Sequence, residues 1–556
     1  MSNRRGPASP ASTHEVTNQA PPLENVNPFT TDRALVEALT REGGDWAKAS
    51  VAEYGAALGS DEVRRWGCQA NACPPELRTH DPRGHRIDEV EFHPAWHQVM
   101  RLAMAHEVHN LPWRTPRLGA FVARSAKHYL LSQVEAGACC PLTMTFACMP
   151  ALRHQKDVAA EWEGRLLGTE YDPRSLPAAQ KSAVLIGMAM TEKQGGSDVR
   201  ANSTRATPLG AGGPGAEYEL VGHKWFCSAP MCDAFLTLAY TERGLSCFLT
   251  PRWRPDGERN PIHLQRLKNK LGNRSNASAE IEYRGAWARM VGEEGRGVPT
   301  ILEMVNHTRL DCVSGSAGLM RQALAQATHH AAHRSTFGRL LCEQPLMQNV
   351  LADLAIEVEA ATALLMRLAR AYDEARDDEA PRAFARIATA VAKYWVCKRT
   401  PSMVYEAMEC LGGNGYVEDS ILPRLYREAP VNAIWEGSGN VICLDVWRAM
   451  AREPDCVPAL LDEIRLGSGA HPALDAAIGE VEAALADRDG TEASARRRVE
   501  RTALTLQASL LVRHAPTAVA DAFCAGRLEA SNGLAFGTLP AGLPLKEIVE
   551  RATPAT

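Results

Sequence analysis

Hydrophobic residues recur at spacings of three and four along most of the chain, a pattern typical of helices that bury one face. The spacing predicts helices on both sides of a central region, most clearly at residues 96–109, 118–136, 301–332, 348–373 and 381–411. In that central region short apolar runs alternate with turns, which predicts strands at residues 183–190, 217–221, 234–240, 245–249 and 279–283. The predicted fold class is therefore mostly α with a central β domain.

These changes of pattern divide the chain into five predicted parts. With 45% hydrophobic residues in 556, the chain can form several packed cores. The first segment is rich in Pro, Ser, Asn and Thr, which predicts a disordered tail. The predicted parts are a tail at 1–30, a helical domain at 31–182, a β domain at 183–292, a helical bundle at 293–450 and a helical extension at 451–556.

Composition excludes several classes of protein. A net charge of −5 gives no general attraction to nucleic acid or membranes, so any basic surface must be local. No apolar run approaches the roughly 18–20 residues of a membrane span, and the N-terminus lacks the apolar core of a secretory signal. The fifteen cysteines include no Cys-x-x-Cys pair, which indicates free thiols and a cytoplasmic protein. His93 and His97 are four residues apart, as metal ligands on a helix can be, but no third ligand follows at a spacing typical of metal sites. We therefore predict no metal site.

Five short motifs could hold a ligand, although each also has a purely structural interpretation. They are MTEKQGGSD at 190–198, GHKWFCS at 222–228, RSTFG at 334–338, LGGNGY at 411–416 and IWEGSGN at 434–440. Their glycines allow close approach of backbone to a ligand, but a strand exit or a helix C-cap uses the same residues. In the last motif Glu436 follows an aromatic residue and precedes glycines. It is a candidate general base, or else a carboxylate stabilised at a helix N-terminus.

Taken in this order and spacing, the five motifs resemble the acyl-CoA dehydrogenase family over residues 31–450. The residues of MTEKQGGSD and the long C-terminal extension resemble its alkylation-response, AidB-like branch. The resemblance implies an N-terminal helical domain, a middle β-sandwich or barrel and a C-terminal four-helix bundle, with FAD between the last two. It further implies a homo-oligomer, expected to be a tetramer, an acyl-CoA substrate, and electron-transferring flavoprotein as an electron acceptor.

The resemblance also assigns site residues by position. Glu436 matches the base that removes the α-proton of an acyl thioester. Arg334 and Phe337 match residues that reach the FAD of a neighbouring subunit, and Gly412 and Gly413 match its pyrophosphate-binding turn. The residues expected to bind the cofactor are Met190, Thr191, Gly196, Ser197, Trp225, Cys227, Ser228, Arg334, Phe337, Gln344, Gly412, Gly413, Trp435, Ser438 and Asn440.

Several of these positions depart from the family pattern. Cys227 replaces a Thr that usually bonds the flavin, Glu409 a Gln, Trp435 a Tyr and Asn440 a Gln. A thiol is a weaker hydrogen-bonding group than a hydroxyl, and Trp435 adds bulk where an acyl chain would thread. FAD binding is therefore expected with only weak dehydrogenase activity, on short branched substrates such as isovaleryl-CoA.

The AidB-like resemblance also implies binding of double-stranded DNA through the extension, as protection during the response to alkylation. Residues 451–556 contain 11 Lys and Arg against 15 Asp and Glu, so their net charge opposes DNA binding. A local arginine cluster favours it, with the candidate DNA-binding residues Arg496, Arg497, Arg498, Arg501 and Arg513. The alternative is a solvated helix face paired with acidic residues upstream.

Two other functions stay open: a metabolic acyl-CoA dehydrogenase whose extension only packs the oligomer, and a flavin-holding DNA-binding module without turnover.

Overall fold

The computed structural model describes residues 13–487, 492–529 and 533–555 of the chain. Its first part is a helical layer interrupted by one antiparallel hairpin of β1 (Glu76–His80) and β2 (Arg86–Glu91). The helices are α1 (Arg33–Arg41), α2 (Lys48–Gly59), α3 (Asp61–Ala72), α4 (Pro94–Ala105), α5 (Leu111–Arg114), α6 (Ala120–Ser132), α7 (Ala136–Leu152) and α8 (Lys156–Leu166). The hairpin escaped the hydrophobic pattern because its strands are mostly charged and only partly buried.

Of the predicted tail at 1–30, residues 13–30 are described and partly packed against the rest of the chain, and residues 1–12 lie outside the described residues. Leu23 and Phe29 are buried in the helical layer. The Asn18 side chain donates to the Ser335 carbonyl at 2.8 Å and accepts from the Ser335 amide at 2.7 Å. These long-range contacts compensate for the low apolar content of the segment, which local composition could not reveal.

The middle of the chain forms a β-barrel. Its strands are β3 (Ile186–Ala189), β4 (Arg205–Pro208), β5 (Glu217–Ser228), β6 (Ala234–Thr241), β7 (Gly244–Pro251), β8 (Ile262–Leu267) and β9 (Ser278–Val291). β7 pairs with both β6 and β9, and β4 joins β5 to β6, so these five strands close into a ring. β3 and β8 extend the ring at β6 and β9.

Long helices follow the barrel and pack side by side. They are α9 (Gly297–His333), α10 (Pro345–Glu374) and α11 (Glu379–Glu409), joined by α12 (Gly413–Tyr416) and α13 (Leu422–Glu428) to α14 (Gly439–Arg452). A small hairpin of β10 (Ser335–Thr336) and β11 (Arg339–Leu340) connects α9 to α10. The apolar faces of α9, α10 and α11 are buried against one another and against α6.

The C-terminal extension folds back onto these long helices. It contains α15 (Cys456–Arg465), α16 (Pro472–Ala486), α17 (Ala495–His514), α18 (Thr517–Arg527) and α19 (Leu545–Ala552). α17 packs against α10, α11 and α14, and Arg527 of α18 pairs with Asp353 and Glu357 of α10. In the described residues no helix is long and apolar enough to cross a membrane, and all fifteen cysteines are free thiols.

Candidate active site

The loop before α14 presents Glu436 in a left-handed backbone conformation, with φ of 58°. A non-glycine residue rarely adopts this conformation unless its surroundings impose it. Two buried cations do so here. Lys393 of α11 donates to the carbonyls of Trp435, at 2.9 Å, and Gly437, and Arg309 of α9 donates to the Glu436 carbonyl at 3.0 Å.

The Glu436 carboxylate lies in a largely desolvated cleft beside α9. Thr308 Oγ1 donates to Glu436 Oε2 at 2.7 Å. Burial raises the pKa of Glu436, and the Thr308 hydrogen bond and the charges of Arg309 and Lys393 partly oppose that rise. The arrangement yields a carboxyl group whose raised pKa lies closer to neutrality, which suits a group that takes up a proton.

Residues of α7 and of the end of β5 lie near the carboxylate. Cys140 of α7 lies near Asn276, Ser228 and the Glu436 carboxylate, and burial raises its pKa to about 12. Asn276 is buried, and apart from the Cys140 thiol its amide oxygen and nitrogen have no hydrogen-bond partner among the described residues. Orphaned polar atoms of this kind fit a site that binds a polar ligand.

The MTEKQGGSD loop is held to the barrel by Glu192, which is completely buried. Its carboxylate accepts from the amides and hydroxyls of Ser203 and Thr204, and from Lys224 Nζ at 3.0 Å. Burial alone would raise the pKa of Glu192, but Lys224 and these donors outweigh it and hold the pKa well below its usual range. The loop therefore has one fixed anchor beneath an exposed tip.

That tip carries the predicted flavin residues. Gly196 and Ser197 are exposed, and Met190 and Thr191 are half-buried. A Cβ at Gly196 would lie 2.4 Å from Thr191 Oγ1, so only glycine allows the loop to close on Thr191. The Trp225 amide donates to the Thr191 carbonyl at 2.8 Å, which places the indole beside the same tip.

Cys227, at the end of β5, is another of the residues predicted to bind the cofactor. Cys227 is fully covered by protein, and burial raises its pKa to about 12. The pairing of β5 with β9 shifts register between Lys224 and Cys227, and such a bulge changes which face the following residues present. Ser228 remains half-exposed.

The residues expected to serve a neighbouring subunit lie far from Glu436 in the same chain. Arg334 follows the end of α9, about 36 Å along the helix from Arg309 at 1.5 Å per residue. Gly412 follows the end of α11, about 24 Å beyond Lys393. Phe337, in the turn between β10 and β11, is 100% exposed.

The five arginines predicted to bind DNA do not form one free stripe. Arg498 pairs with Asp487, Arg501 with Glu480 at 2.8 Å and Arg513 with Glu463 at 2.6 Å. These carboxylates all precede α17 in the sequence. This agrees with the alternative interpretation, in which the arginines form a solvated helix face paired with acidic residues upstream. Arg496 and Arg497 are exposed, and no described carboxylate lies within 4 Å of either guanidinium.

Sequence reasoning missed the groups that hold the site: Glu192, Lys224, Thr308, Arg309 and Lys393. A signal was present for one of them, since Lys393 interrupts the apolar run IATAVAKYWVC of α11. Charges at such positions are seldom buried unless they are paired. The partners of Lys393 are the carbonyls of Trp435 and Gly437, distant in sequence, so the pattern could mark this residue but not assign its role.

Three family models match the chain in order. They are the adaptive response protein AidB N-terminal domain at residues 18–173, the acyl-CoA dehydrogenase middle domain at 187–286 and the acyl-CoA dehydrogenase C-terminal domain at 295–451. The chain is 47% identical to the putative acyl-CoA dehydrogenase AidB of Escherichia coli K12, over 94% of this chain and 96% of that protein.

Solved structures agree with the fold. The crystal structure of Caenorhabditis elegans ACDH-11 in complex with C11-CoA superposes with a TM-score of 0.82 at 28% identity, covering 98% of this chain and 93% of that one. An acyl-CoA dehydrogenase from Bacillus anthracis, complexed with FAD, shares the fold with a TM-score of 0.62 at 17% identity, covering 77% and 80% of the two chains.

Proposed function

The chain belongs to the acyl-CoA dehydrogenase family, in its AidB-like branch, and on that premise we propose that Glu436 is the base of its FAD-dependent reaction. The family fixes the reaction class as oxidation of a CH–CH bond with FAD as cofactor. One observation carries the assignment of the base. Glu436 is a desolvated carboxylate held at a positive φ by two buried cations and bonded by Thr308.

In this proposal Glu436 removes the α-proton of an acyl-CoA thioester. FAD, when bound, supplies the acceptor for the hydride that leaves the β-carbon. Thr308 keeps the carboxylate oriented, and the cations fix the backbone that carries it, so the base need not reorganise during the reaction. Trp435 is held by its own hydrogen bond to Asn432 at 2.9 Å, so its bulk is fixed beside the base. This favours weak turnover of short branched substrates, isovaleryl-CoA-like, with an electron-transferring flavoprotein as acceptor.

We further propose that the protein works as a homo-oligomer, a tetramer. The exposed Phe337 and the open turn at Gly412 and Gly413 lie too far along their helices to serve the flavin of their own chain. At Gly412 and Gly413 an added Cβ would meet no atom within 4 Å, so a partner's cofactor has room to approach. Size-exclusion chromatography with light scattering tests the assembly, and a monomer that retains FAD would refute it.

The base is tested with Glu436→Gln, which keeps the shape of the side chain and removes its basicity. The variant should bind FAD as the native chain does, while bleaching of the flavin by isovaleryl-CoA should fall at least about a hundredfold, the lower end of general-base effects. Glu303→Gln, an exposed glutamate on α9, is the matched control. Unchanged bleaching in Glu436→Gln would remove Glu436 as the base.

A second proposed function is binding and protection of double-stranded DNA during the alkylation response. Two observations support it: the kinship with AidB, and the exposed guanidinium of Arg497 without a carboxylate within 4 Å among the described residues. Because Arg498, Arg501 and Arg513 already neutralise carboxylates, they have less charge to offer phosphates. DNA binding would therefore depend chiefly on Arg497 and on the alignment of several copies of the chain in an oligomer.

DNA binding is measured as affinity against salt concentration. Arg497→Gln should flatten the logarithmic slope by about one unit for each phosphate that the variant no longer neutralises. Arg465→Gln, which removes a charge already paired with Glu482, should leave the slope unchanged. If the native chain binds no duplex at low salt, the alternative of a metabolic dehydrogenase without a DNA role is favoured. DNA binding without any acyl-CoA turnover would instead favour a flavin-holding DNA-binding module.

A further inference from the structure

A groove of about 360 Å³ opens beside the Glu436 loop, at the N-terminus of α14. Its walls come from three separate parts of the chain: α11, the loop from Pro430 to Asn440, and α17 of the C-terminal extension. Lys398 and Arg496 are the charged residues among those described that line it, and none of the described acidic residues does so. The groove is therefore electropositive and continuous with the loop that carries the proposed base.

The two cations converge on one point. An added Cβ at Gly439 would lie 3.5 Å from an Arg496 guanidinium nitrogen and 3.7 Å from Lys398 Nζ. Its nearest other neighbour would be a ring carbon of Tyr394, at 3.4 Å. Gly439 thus leaves open a small space, bounded by two cations and an aromatic edge.

The backbone adds to the same charge. α14 is a 14-residue helix whose first turn contains no acidic residue, and its N-cap Ser438 makes no side-chain capping hydrogen bond. The amides at this end are left for a ligand, and the helix dipole favours an anion there. No described carboxylate lies within 4 Å of Lys398 or Arg496, whereas Arg498, Arg501 and Arg513 on the same helix as Arg496 are all paired.

Arg496 is also oriented toward the cofactor side of the molecule. Its Nε donates to Asn440 Oδ1 at 2.8 Å, and Asn440 with Ser438 is among the residues expected to bind FAD. The guanidinium is thereby held over the groove and not directed along the outer face of α17. We infer that Arg496, from the extension, and Lys398, from α11, bind the diphosphate of FAD at the N-terminus of α14.

This assignment makes the C-terminal extension part of the cofactor site and moves Arg496 out of the candidate DNA surface. It rests on FAD as the cofactor of the family and is independent of the proposed role of Glu436. A diphosphate suits the groove because two cations and free helix amides match its charge and its acceptor oxygens. Riboflavin, which lacks phosphate, should gain nothing from Arg496 or Lys398.

The test measures FAD and riboflavin dissociation constants by flavin fluorescence on the apo full-length chain. Arg496→Gln and Lys398→Gln should each weaken FAD binding about tenfold, equivalent to about 1.4 kcal/mol, and leave riboflavin binding unchanged. Gly439→Ala should also weaken FAD binding, because its Cβ occupies the cradle. It should not lower the melting temperature of the apo protein, since alanine favours a helix more than glycine does.

Arg448→Gln is the control, because it removes one positive charge from an exposed position farther along α14. Three outcomes would overturn the inference. One is unchanged FAD affinity in Arg496→Gln and Lys398→Gln; another is equal loss of FAD and riboflavin affinity. The third is a selective loss of CoA or duplex DNA affinity, which would assign the cradle to those phosphates. Flavin bleaching is not a readout here, so failure of Glu436 as base does not affect the result.

Discussion

The buried ion pair of Glu192 and Lys224 holds the MTEKQGGSD loop to the barrel. Both side chains are 0% exposed, with Lys224 Nζ 3.0 Å from Glu192 Oε1 and 2.8 Å from the Leu238 carbonyl. Lys224→Met keeps the length and most of the volume of the side chain but removes its charge and donors. Glu192 is then left ionised and buried without its cation.

Breaking a buried ion pair by removing one partner costs about 3–5 kcal/mol. We expect the lower end, about 3 kcal/mol, because Ser203 and Thr204 still donate four hydrogen bonds to the carboxylate. Because Glu192 anchors the MTEKQGGSD loop, FAD affinity should fall with stability. Urea denaturation of the apo chain and a flavin titration measure the two effects.

Two further variants test whether the Glu192–Lys224 ion pair anchors the loop. Lys224→Met/Glu192→Gln removes the unpaired charge, so it should be more stable than Lys224→Met alone. Arg284→Met breaks an exposed pair with Glu282 in the same barrel and should cost no more than about 1 kcal/mol. A single variant as stable as the native chain, or a double variant less stable than the single one, would show that the pair does not anchor the loop.

Three more predictions concern residues of α9 and α11. Thr308→Val removes a hydrogen bond that opposes the burial-driven rise in the pKa of Glu436, so this pKa should rise further. Flavin bleaching increases as the base ionises, so its pH profile should move to higher pH. Thr328→Val, on the same helix, is the control and should leave the profile in place. Lys393→Met leaves the Trp435 and Gly437 carbonyls without their donor. The free energy of unfolding should fall by about 1–3 kcal/mol for each carbonyl left unpaired. An unchanged denaturation curve would contradict this prediction. Burial lowers the pKa of His307 to about 4, below its value of about 6.5 in the unfolded chain. Its contribution to stability is therefore complete above about pH 6.5 and declines by up to about 1.4 kcal/mol per pH unit as pH falls towards about 4. In urea denaturation, His307→Gln should lose less stability than the native chain between about pH 7 and about pH 5.

Much of this protein could be derived from sequence because its signals are local. Helical spacing predicted α9, α10 and α11 to within a few residues, since each is a long helix with apolar residues repeated at spacings of three and four. The glycine-bearing motifs, with Glu436 in the last, indicated the family because close backbone approach leaves few residue choices. These features depend on near neighbours in the chain, and the sequence contains them in full.

Tertiary structure alone decided which charges act together. Lys393 and the Glu436 loop are about forty residues apart, and Glu192 meets Lys224 across the barrel. Arg496 turns to Asn440, while its neighbour Arg498 turns to Asp487. In sequence these arginines form one basic cluster, but each residue of a helix adds about 100° of rotation, so residues two positions apart point about 200° apart. The fold, by placing different partners on each side, separates a groove-lining cation from a structural ion pair.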